Sequence, residues 1–439
     1  MLSNNKISDV NAITHYGREY QRVEKKLIGQ SQEHLSRLRR TALAAFSMRG
    51  FPSKKQADWK YTSLAALRQT PYSFAPTPCN ATTTMLELSP SDYRLVFLNG
   101  FFVPQLSRVT LLTGTSILSN LSYMLDQQPE QLSAAWKPKE TIDKNSFTDL
   151  NTAFMQDGAY IYLSANTRLS SPIEILFINT DEASNRFIPL RNIIIAEENS
   201  QATIIEKYID MTPGGNANYF LNTVSECHLA ANSHIEHYKS ISEAKQAQHV
   251  SHLYVTQQKN SQFLAYSLAL SGALIRSDVT VKLVAAQAYC QLKGLYYALG
   301  QQQVDHCTLI EHISPNTRSE EFYKGVIADR ARAVFNGKLI VRERATQSKA
   351  QQLNKNLLLS AHAEVNSKPQ LEIFTDDIQC THGASIGQLD KDALFYLRTR
   401  GLTTTAATDL LVNAFIQDIL EQMPLFSGAS LPSLMNKYS

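Results

Sequence analysis

Cysteine is scarce and scattered in this sequence. Cys79, Cys227, Cys290, Cys307 and Cys380 are odd in number and none forms a CxxC pair, so neither a disulfide framework nor a zinc finger is indicated. Charge is also sparse, at 18% of residues against about 25% in ordinary globular chains. The 42 Lys and Arg exceed the 39 Asp and Glu by only three, with no long basic block. That excludes a general nucleic-acid binder, because neutralising phosphates needs clustered cations. Long apolar runs are missing too. The longest, Tyr266 to Ile275, is broken by Ser267, Ser271 and Gly272 and falls far short of the ~20 residues that cross a bilayer. Met1 to Ser8 holds Asn4, Asn5 and Lys6 rather than the apolar core of a secretory signal, so a cytoplasmic protein without membrane association is expected. No GxxxxGKS/T, GxGxxG after a strand or HExxH is found, and the chain is not expected to bind or hydrolyse ATP.

Ser, Thr, Asn and Gln fill the place of the missing charges, a composition that favours extended strands joined by polar turns. From about Tyr160 to Ile340, short runs rich in Ile, Val, Tyr and Leu alternate with such turns. Three strands start with a related step, at Asn199-Ser200-Gln201, Asn232-Ser233-His234 and Asn260-Ser261-Gln262, and Ala286-Gln287-Ala288 resembles a fourth. A turn-then-strand unit recurring every two to three dozen residues marks a solenoid whose coils bury their apolar faces against each other. The expected fold is therefore mainly β, a right-handed parallel β-helix. A β-sandwich, which also has many short strands, would not repeat the same turn chemistry at this period.

Helices are expected at both ends. His15 to Met48 has helical apolar spacing closed by Gly50 and Pro52, and Asp58 is placed to cap a short helix through Leu64. Residues 71–90, with Pro71, Pro76, Pro78 and Pro90, read as a connecting loop. Asn99-Gly100 between Tyr93–Leu98 and Phe101–Val103 signals a hairpin. Near the C-terminus, Asp390 caps a helix closed by Gly401, and the Thr403–Thr405 run caps a second whose apolar stripe is Leu410, Leu411, Ala414, Phe415 and Ile419. These helices either cap the open end of the solenoid or form a docking surface. The expected division is residues 1–153 helical and mixed, 154–388 β-helix, and 389–439 helical.

Seven of the eleven histidines, His228, His234, His237, His249, His252, His306 and His312, lie in the β region at spacings that suit structural roles. Cys380 and His382 differ. Two apart on a strand, they project from one face with Cα atoms roughly 6–7 Å apart, within reach of one metal ion. Ile378, Ala384 and Ile386 on the same face equally fit a buried strand. Spacing leaves both readings open.

Phe335-Asn336-Gly337-Lys338-Leu339-Ile340-Val341, Gln351-Gln352-Leu353-Asn354-Lys355-Asn356, Lys368-Pro369-Gln370-Leu371-Glu372-Ile373, Cys380-Thr381-His382-Gly383-Ala384 and Leu394-Phe395-Tyr396-Leu397-Arg398 together resemble the SufB/SufD family of iron–sulfur cluster assembly proteins. Asp58-Trp59-Lys60-Tyr61-Thr62 looks like that family's N-terminal motif. The SufB scaffold has His-Glu-Ala where this chain has His382-Gly383-Ala384, which places the chain on the SufD side. The resemblance implies a β-helix flanked by helical regions, in a complex with the SufB scaffold and the SufC ATPase. It also implies a transient iron–sulfur cluster forming at the SufB–SufD interface, with His382 and, two residues before it, Cys380 as its metal-facing residues. A reduced flavin is associated with such complexes, and nothing in this sequence identifies its site. ATPase docking is assigned to Leu394, Phe395, Tyr396, Arg398 and Arg400, residue types that dominate interface hot spots. Phe335, Gly337, Gln352, Asn354 and Glu372 are read as structural, with Gly at a turn and Asn and Gln satisfying turn backbone groups. The resulting expectation is a non-catalytic SUF subunit, with a homodimer of the isolated chain left open. The competing readings are the SufB-type scaffold itself and a polysaccharide-acting β-helix enzyme.

Overall fold

A computed structural model describes residues 2–78, 91–109, 112, 114–135 and 145–426. Cys79 and the rest of the expected loop through Pro90 lie outside the described residues, as does the end of the C-terminal region from residue 427. From Ala159 onward, consecutive strands fall in opposite sheets, and each pairs in parallel with the strand one coil away. The first sheet runs Glu364–Ile373, Arg332–Val341, Gln303–His312, Leu274–Leu283, Gln248–Gln257, Phe220–Leu229, Arg186–Ala196 and Ala159–Leu163, with Ile117–Asn120 antiparallel at its edge. The second runs Ile378–Gln388, Ser348–Leu358, Arg318–Ile327, Tyr289–Ala298, Gln262–Ser271, His234–Ser242, Gln201–Asp210, Ile173–Asn179 and Tyr93–Leu98. The result is a parallel β-solenoid of about eight turns with helices at both ends. The Asn-Gly hairpin forms as its sequence requires, pairing Leu98 with Phe101 across Asn99 and Gly100, both at positive φ.

The repeated step is the corner of each coil. Asn199, Asn232, Asn260 and Gln287 all have φ between 55° and 64°, a left-handed conformation that Asn tolerates better than most residues. The corners also stack. Asn199 Nδ2 donates to Asn166 Oδ1 at 3.0 Å, and Asn260 Nδ2 to Asn232 Oδ1 at 2.9 Å. Each side-chain amide thereby ties one coil to the next.

Alternate residues of every strand point into the solenoid. Apolar residues run along the interior from Ile175 and Ile204 through Phe263 and Leu292 to Leu339, interrupted in the middle coils by the buried pairs Glu206–His237 and Glu243–His249. Large interior rings need glycine opposite them. A Cβ at Gly294 would lie 2.2 Å from Tyr323 Cε1, and one at Gly325 would lie 2.1 Å from Tyr296 Cε2.

The two outer sheet faces are covered by different parts of the chain. Over the first sheet lies an aromatic layer in which Tyr16, Phe46, Phe51, Phe147 and Phe154 meet Phe187 and Phe220. Asp58 to Thr62 forms no helix beyond the short turn Ala57–Trp59. Its groups bind sheet side chains instead. The Asp58 carboxylate accepts from Asn336 Nδ2 (2.9 Å), its carbonyl from Arg276 Nη1 (3.1 Å), and the Tyr61 carbonyl from Gln303 Nε2 (2.9 Å). Trp59 sits between Phe147 and the buried Arg276 guanidinium, which lies 3.5 Å from its ring. An irregular backbone suits this clasp, since a helix would have satisfied those carbonyls internally.

Over the second sheet lies the helix Thr404–Leu420. Asp390 and Thr403 cap the two C-terminal helices as expected, accepting from Ala393 N (3.2 Å) and Ala406 N (3.2 Å). The buried stripe is Ala407, Val412, Ile416, Ile419 and Leu420, rotated from the one read in the sequence. Leu410 and Ala414 face solvent. This helix is apolar on more than one side, so periodicity alone did not choose the face. It packs on Tyr238, Tyr266, Leu268, Leu295 and Val326, covering a sheet face and leaving the solenoid end open.

Gly325→Ala forces a methyl into the Tyr296 ring and is expected to cost about 1–3 kcal/mol. Gly387→Ala, where no atom lies within 4 Å of the new Cβ, is expected to be nearly neutral. Chemical denaturation of the two variants checks the contrast, and equal midpoints would contradict this account of the interior.

Candidate functional site

The C-terminal end of the solenoid is a pair of unfinished sheets. Among the described residues, Glu364–Ile373 pairs only with Arg332–Val341, and Ile378–Gln388 only with Ser348–Leu358. Each outer edge therefore presents a row of backbone groups over about ten residues, a ready template for strands of another chain. Ile373, Phe374 and Ile386 are exposed there.

Cys380 and His382 both lie on that last strand, two residues apart, in register with Ala350 and Gln352 of the preceding coil. Cys380 is half-buried against the solenoid interior, and burial pushes its thiol above the ordinary value. His382 is exposed and has no hydrogen-bond or ion-pair partner among the described residues. The strand thus sets an inert-leaning thiol and a free imidazole side by side at an open edge. No group of three or more His, Cys, Asp or Glu side chains among the described residues is placed to hold a metal ion.

Behind His382 the interior turns polar. Gln352 Nε2 donates to Glu321 Oε2 at 2.6 Å, and Asn354 Nδ2 donates to Tyr296 OH at 3.1 Å. Asn356 Nδ2 and Ser367 Oγ both donate to Asn354 Oδ1, at 2.6 and 2.8 Å. Gly337 therefore sits in mid-strand and not at a turn, and Gln352 and Asn354 are interior strand residues that bond Glu321, Tyr296 and the Tyr323 carbonyl where turn backbone groups were expected. Gly337 is required there because a Cβ would meet Gln352 Nε2 at 2.1 Å. Glu372 is exposed and pairs with Lys338 at 2.7 Å. Glu321 escaped the sequence reading entirely. Burial raises its carboxyl to about 7, and the only signal for it was an acidic residue at an inward-facing position of an otherwise regular strand.

The histidines deeper in the solenoid are structural. His306 lies between the rings of Tyr296 and Tyr323, and burial lowers it to about 3. His312 bonds Thr317 and Ser319, both at 2.8 Å. His237 and His249 pair with Glu206 (2.8 Å) and Glu243 (3.1 Å).

The helix Lys391–Thr399 stands outside the sheets. Phe395 is 68% and Tyr396 56% exposed, and Arg398 and Arg400 are exposed beside them while Leu394 is half-buried. Arg400 Nη2 donates to Tyr396 OH at 3.0 Å, with its guanidinium 5.2 Å from that ring. Leu410, half exposed, extends the apolar surface onto the next helix.

A separate cleft of about 480 Å³ lies between the Asp58–Thr62 segment and the first sheet, lined by Trp59, His252, Arg276, Asp278, Cys307 and Lys338. Its groups are largely engaged with one another. His252 bonds Asn145 (3.1 Å) and Thr280 (3.0 Å), Arg276 holds Asp278 (2.9 Å), and burial keeps the Cys307 thiol protonated.

Two family models divide the chain. Residues 10–175 match the SufBD protein N-terminal region, and residues 177–415 match the SufBD core domain of the SUF system for FeS cluster assembly. An iron–sulfur cluster assembly SufBD family protein of Synechocystis is 32% identical over 384 residues, 86% of this chain and 84% of that protein. The iron–sulfur cluster assembly protein SufD of Escherichia coli is 28% identical over 416 residues, 94% and 93% of the two chains. A chloroplastic Arabidopsis protein, ABCI7, is 25% identical over 403 residues, 89% of this chain and 83% of that one. No helix among the described residues is long and apolar enough to cross a membrane.

Glu321 yields a pH prediction. Its folded value lies above the ordinary carboxyl value, so the native state holds the extra proton between about pH 4.5 and 7 and loses stability as pH rises through that window. Glu321→Gln removes the titration. Its stability relative to wild type is expected to improve by roughly 2 kcal/mol between pH 5 and pH 8, measured by urea unfolding at the two values. A difference independent of pH would show that Glu321 does not titrate in this range.

Proposed function

We propose that this chain, which belongs to the SufBD family of SUF-system iron–sulfur cluster assembly proteins, serves that assembly as a non-catalytic SufD-type subunit in the cytoplasm. Its open solenoid end would pair with a SufB scaffold. A nascent cluster, the cargo of the complex, would be met there by His382, with Cys380 as a second ligand or as packing beneath it. The observation that carries this reading is the exposed imidazole of His382, unpartnered at a pair of uncovered sheet edges. A histidine retained for packing would be buried or bonded, as His306 and His312 are. Two protein ligands cannot complete a cluster's coordination, so a second chain must supply the rest. Gly383 in place of the scaffold's Glu favours the SufD role over the scaffold role.

The SufC ATPase is assigned to the face bearing Leu394, Phe395, Tyr396, Arg398 and Arg400. Aromatic rings left in water beside arginines, on a helix already capped and packed, are what a hot-spot cluster offers. Deleting 389–439 would be a poor test. It strips the cover from Tyr238, Tyr266 and Leu268 and would damage the solenoid together with the docking face.

In the reconstituted complex, His382→Ala is expected to keep assembly and melting temperature while cluster content, by anaerobic iron and sulfide analysis, falls sharply. Normal cluster content would rule the ligand role out. The double variant Phe395→Ala/Tyr396→Ala is expected to weaken pull-down of the ATPase at least tenfold, a loss of about 1.4 kcal/mol or more, with unfolding unchanged. Undiminished pull-down would remove the docking assignment.

A further inference from the structure

Gln352 is 4% exposed, and the two ends of its amide are treated differently. Nε2 donates to Glu321 Oε2 at 2.6 Å, on the side of the preceding coil. Oε1 is buried and has no partner. Above pH 7, where Glu321 is ionised, reversing the amide would turn oxygen towards a carboxylate, so the bond to Glu321 sets which end is left over. Gly337 supplies the seat, since a Cβ there would stand 2.1 Å from Nε2. A buried acceptor without a donor is uncommon in a native interior.

The next coil offers a donor. His382 is the register partner of Gln352 on the adjacent parallel strand and projects from the same face. Its ring is exposed and unbonded among the described residues, and adjacent strands stand about 4.8 Å apart, close enough for an imidazole N–H to be turned to Gln352. A neutral imidazole that donates from one nitrogen presents the lone pair of the other. Metal-binding histidines commonly have their second nitrogen held in this way.

We propose that Gln352 is the positioning residue for His382: its buried amide oxygen accepts the imidazole N–H, fixes one neutral tautomer and turns the other ring nitrogen to the open end. Glu321 and Gly337 serve this bond by orienting the amide. The consequence for metal binding rests on the ligand reading of His382 given above; the hydrogen bond itself does not.

The test uses the full-length chain labelled with ¹⁵N at histidine, with the His382 ring signals identified by their loss in His382→Ala. Above pH 7.5, wild type is expected to show a single tautomer, beyond the unequal mixture that an unbonded histidine ring shows in water. Gln352→Met, of similar volume without the acceptor, is expected to show a mixture. Gly337→Ala displaces the amide while leaving Gln352 and His382 in place, and is expected to give the same mixture; it decides the matter if Gln352→Met fails to fold. A mixed tautomer already in wild type, or one unchanged in the folded variants, overturns the proposal. In the reconstituted complex, Gln352→Met is expected to lower cluster content tenfold or more. If the tautomer depends on Gln352 but His382→Ala retains its cluster, the hydrogen bond stands and the ligand reading fails.

Discussion

Stacking in register governs this molecule. Because consecutive coils pair in parallel without slippage over most of the solenoid, every inward side chain lies against the one at the same position a coil earlier. A choice at one position therefore constrains its neighbours. Tyr323 is possible because Gly294 lies one coil before it, and Tyr296 because Gly325 lies one coil after. The left-handed corners keep the count, since each returns the chain to the same register before the next strand begins. Loss of one corner or one glycine would be felt along the column and not only at the site of change.

The same geometry leaves one end of the solenoid open. A solenoid buries the interior of each coil by stacking another upon it, and among the described residues no further coil lies above the last. In this chain the helices that might have closed that end cover the outer sheet faces instead. The N-terminal aromatic layer is clasped to the first sheet through Asp58, Trp59 and Tyr61, and Thr404–Leu420 lies on the second. Two edges and an interior column are left open together, which is why His382 is accessible while its column mates Gln352 and Glu321 remain buried. The interior at this end carries Glu321, Gln352 and Asn354, as the middle coils carry Glu206, His237 and His249, so polar groups recur along the core.

The elements read correctly from the sequence were those fixed by local chemistry. Asn at the coil corners, Asn99-Gly100 in the hairpin, and Asp390 and Thr403 at the helix starts each act through backbone groups within a few residues. The misreadings share the opposite property. Asp58 has the right identity for a helix cap, but its carboxylate answers to Asn336, 278 residues away. The last helix has apolar residues on several sides, and the sheet beneath it selected Val412 and Ile416 over Leu410 and Ala414. Gly337 reads as a turn residue because Gly often is one, and Gln352 as a partner for turn backbone; the two meet across the interior of the solenoid instead.

The repeat, the parallel β architecture and the pairing of Cys380 with His382 on one strand were all present in the order of residues, because period, turn chemistry and alternation are local properties. Which face of that strand would be open, and what would stand behind it, depended on where the chain stopped stacking and on which surfaces its helices covered. Those outcomes come from contacts between residues dozens to hundreds of positions apart. The buried acid Glu321, the amide it bonds and the uncovered imidazole before them belong to that second class, since only the stacking of coils brings them into one column.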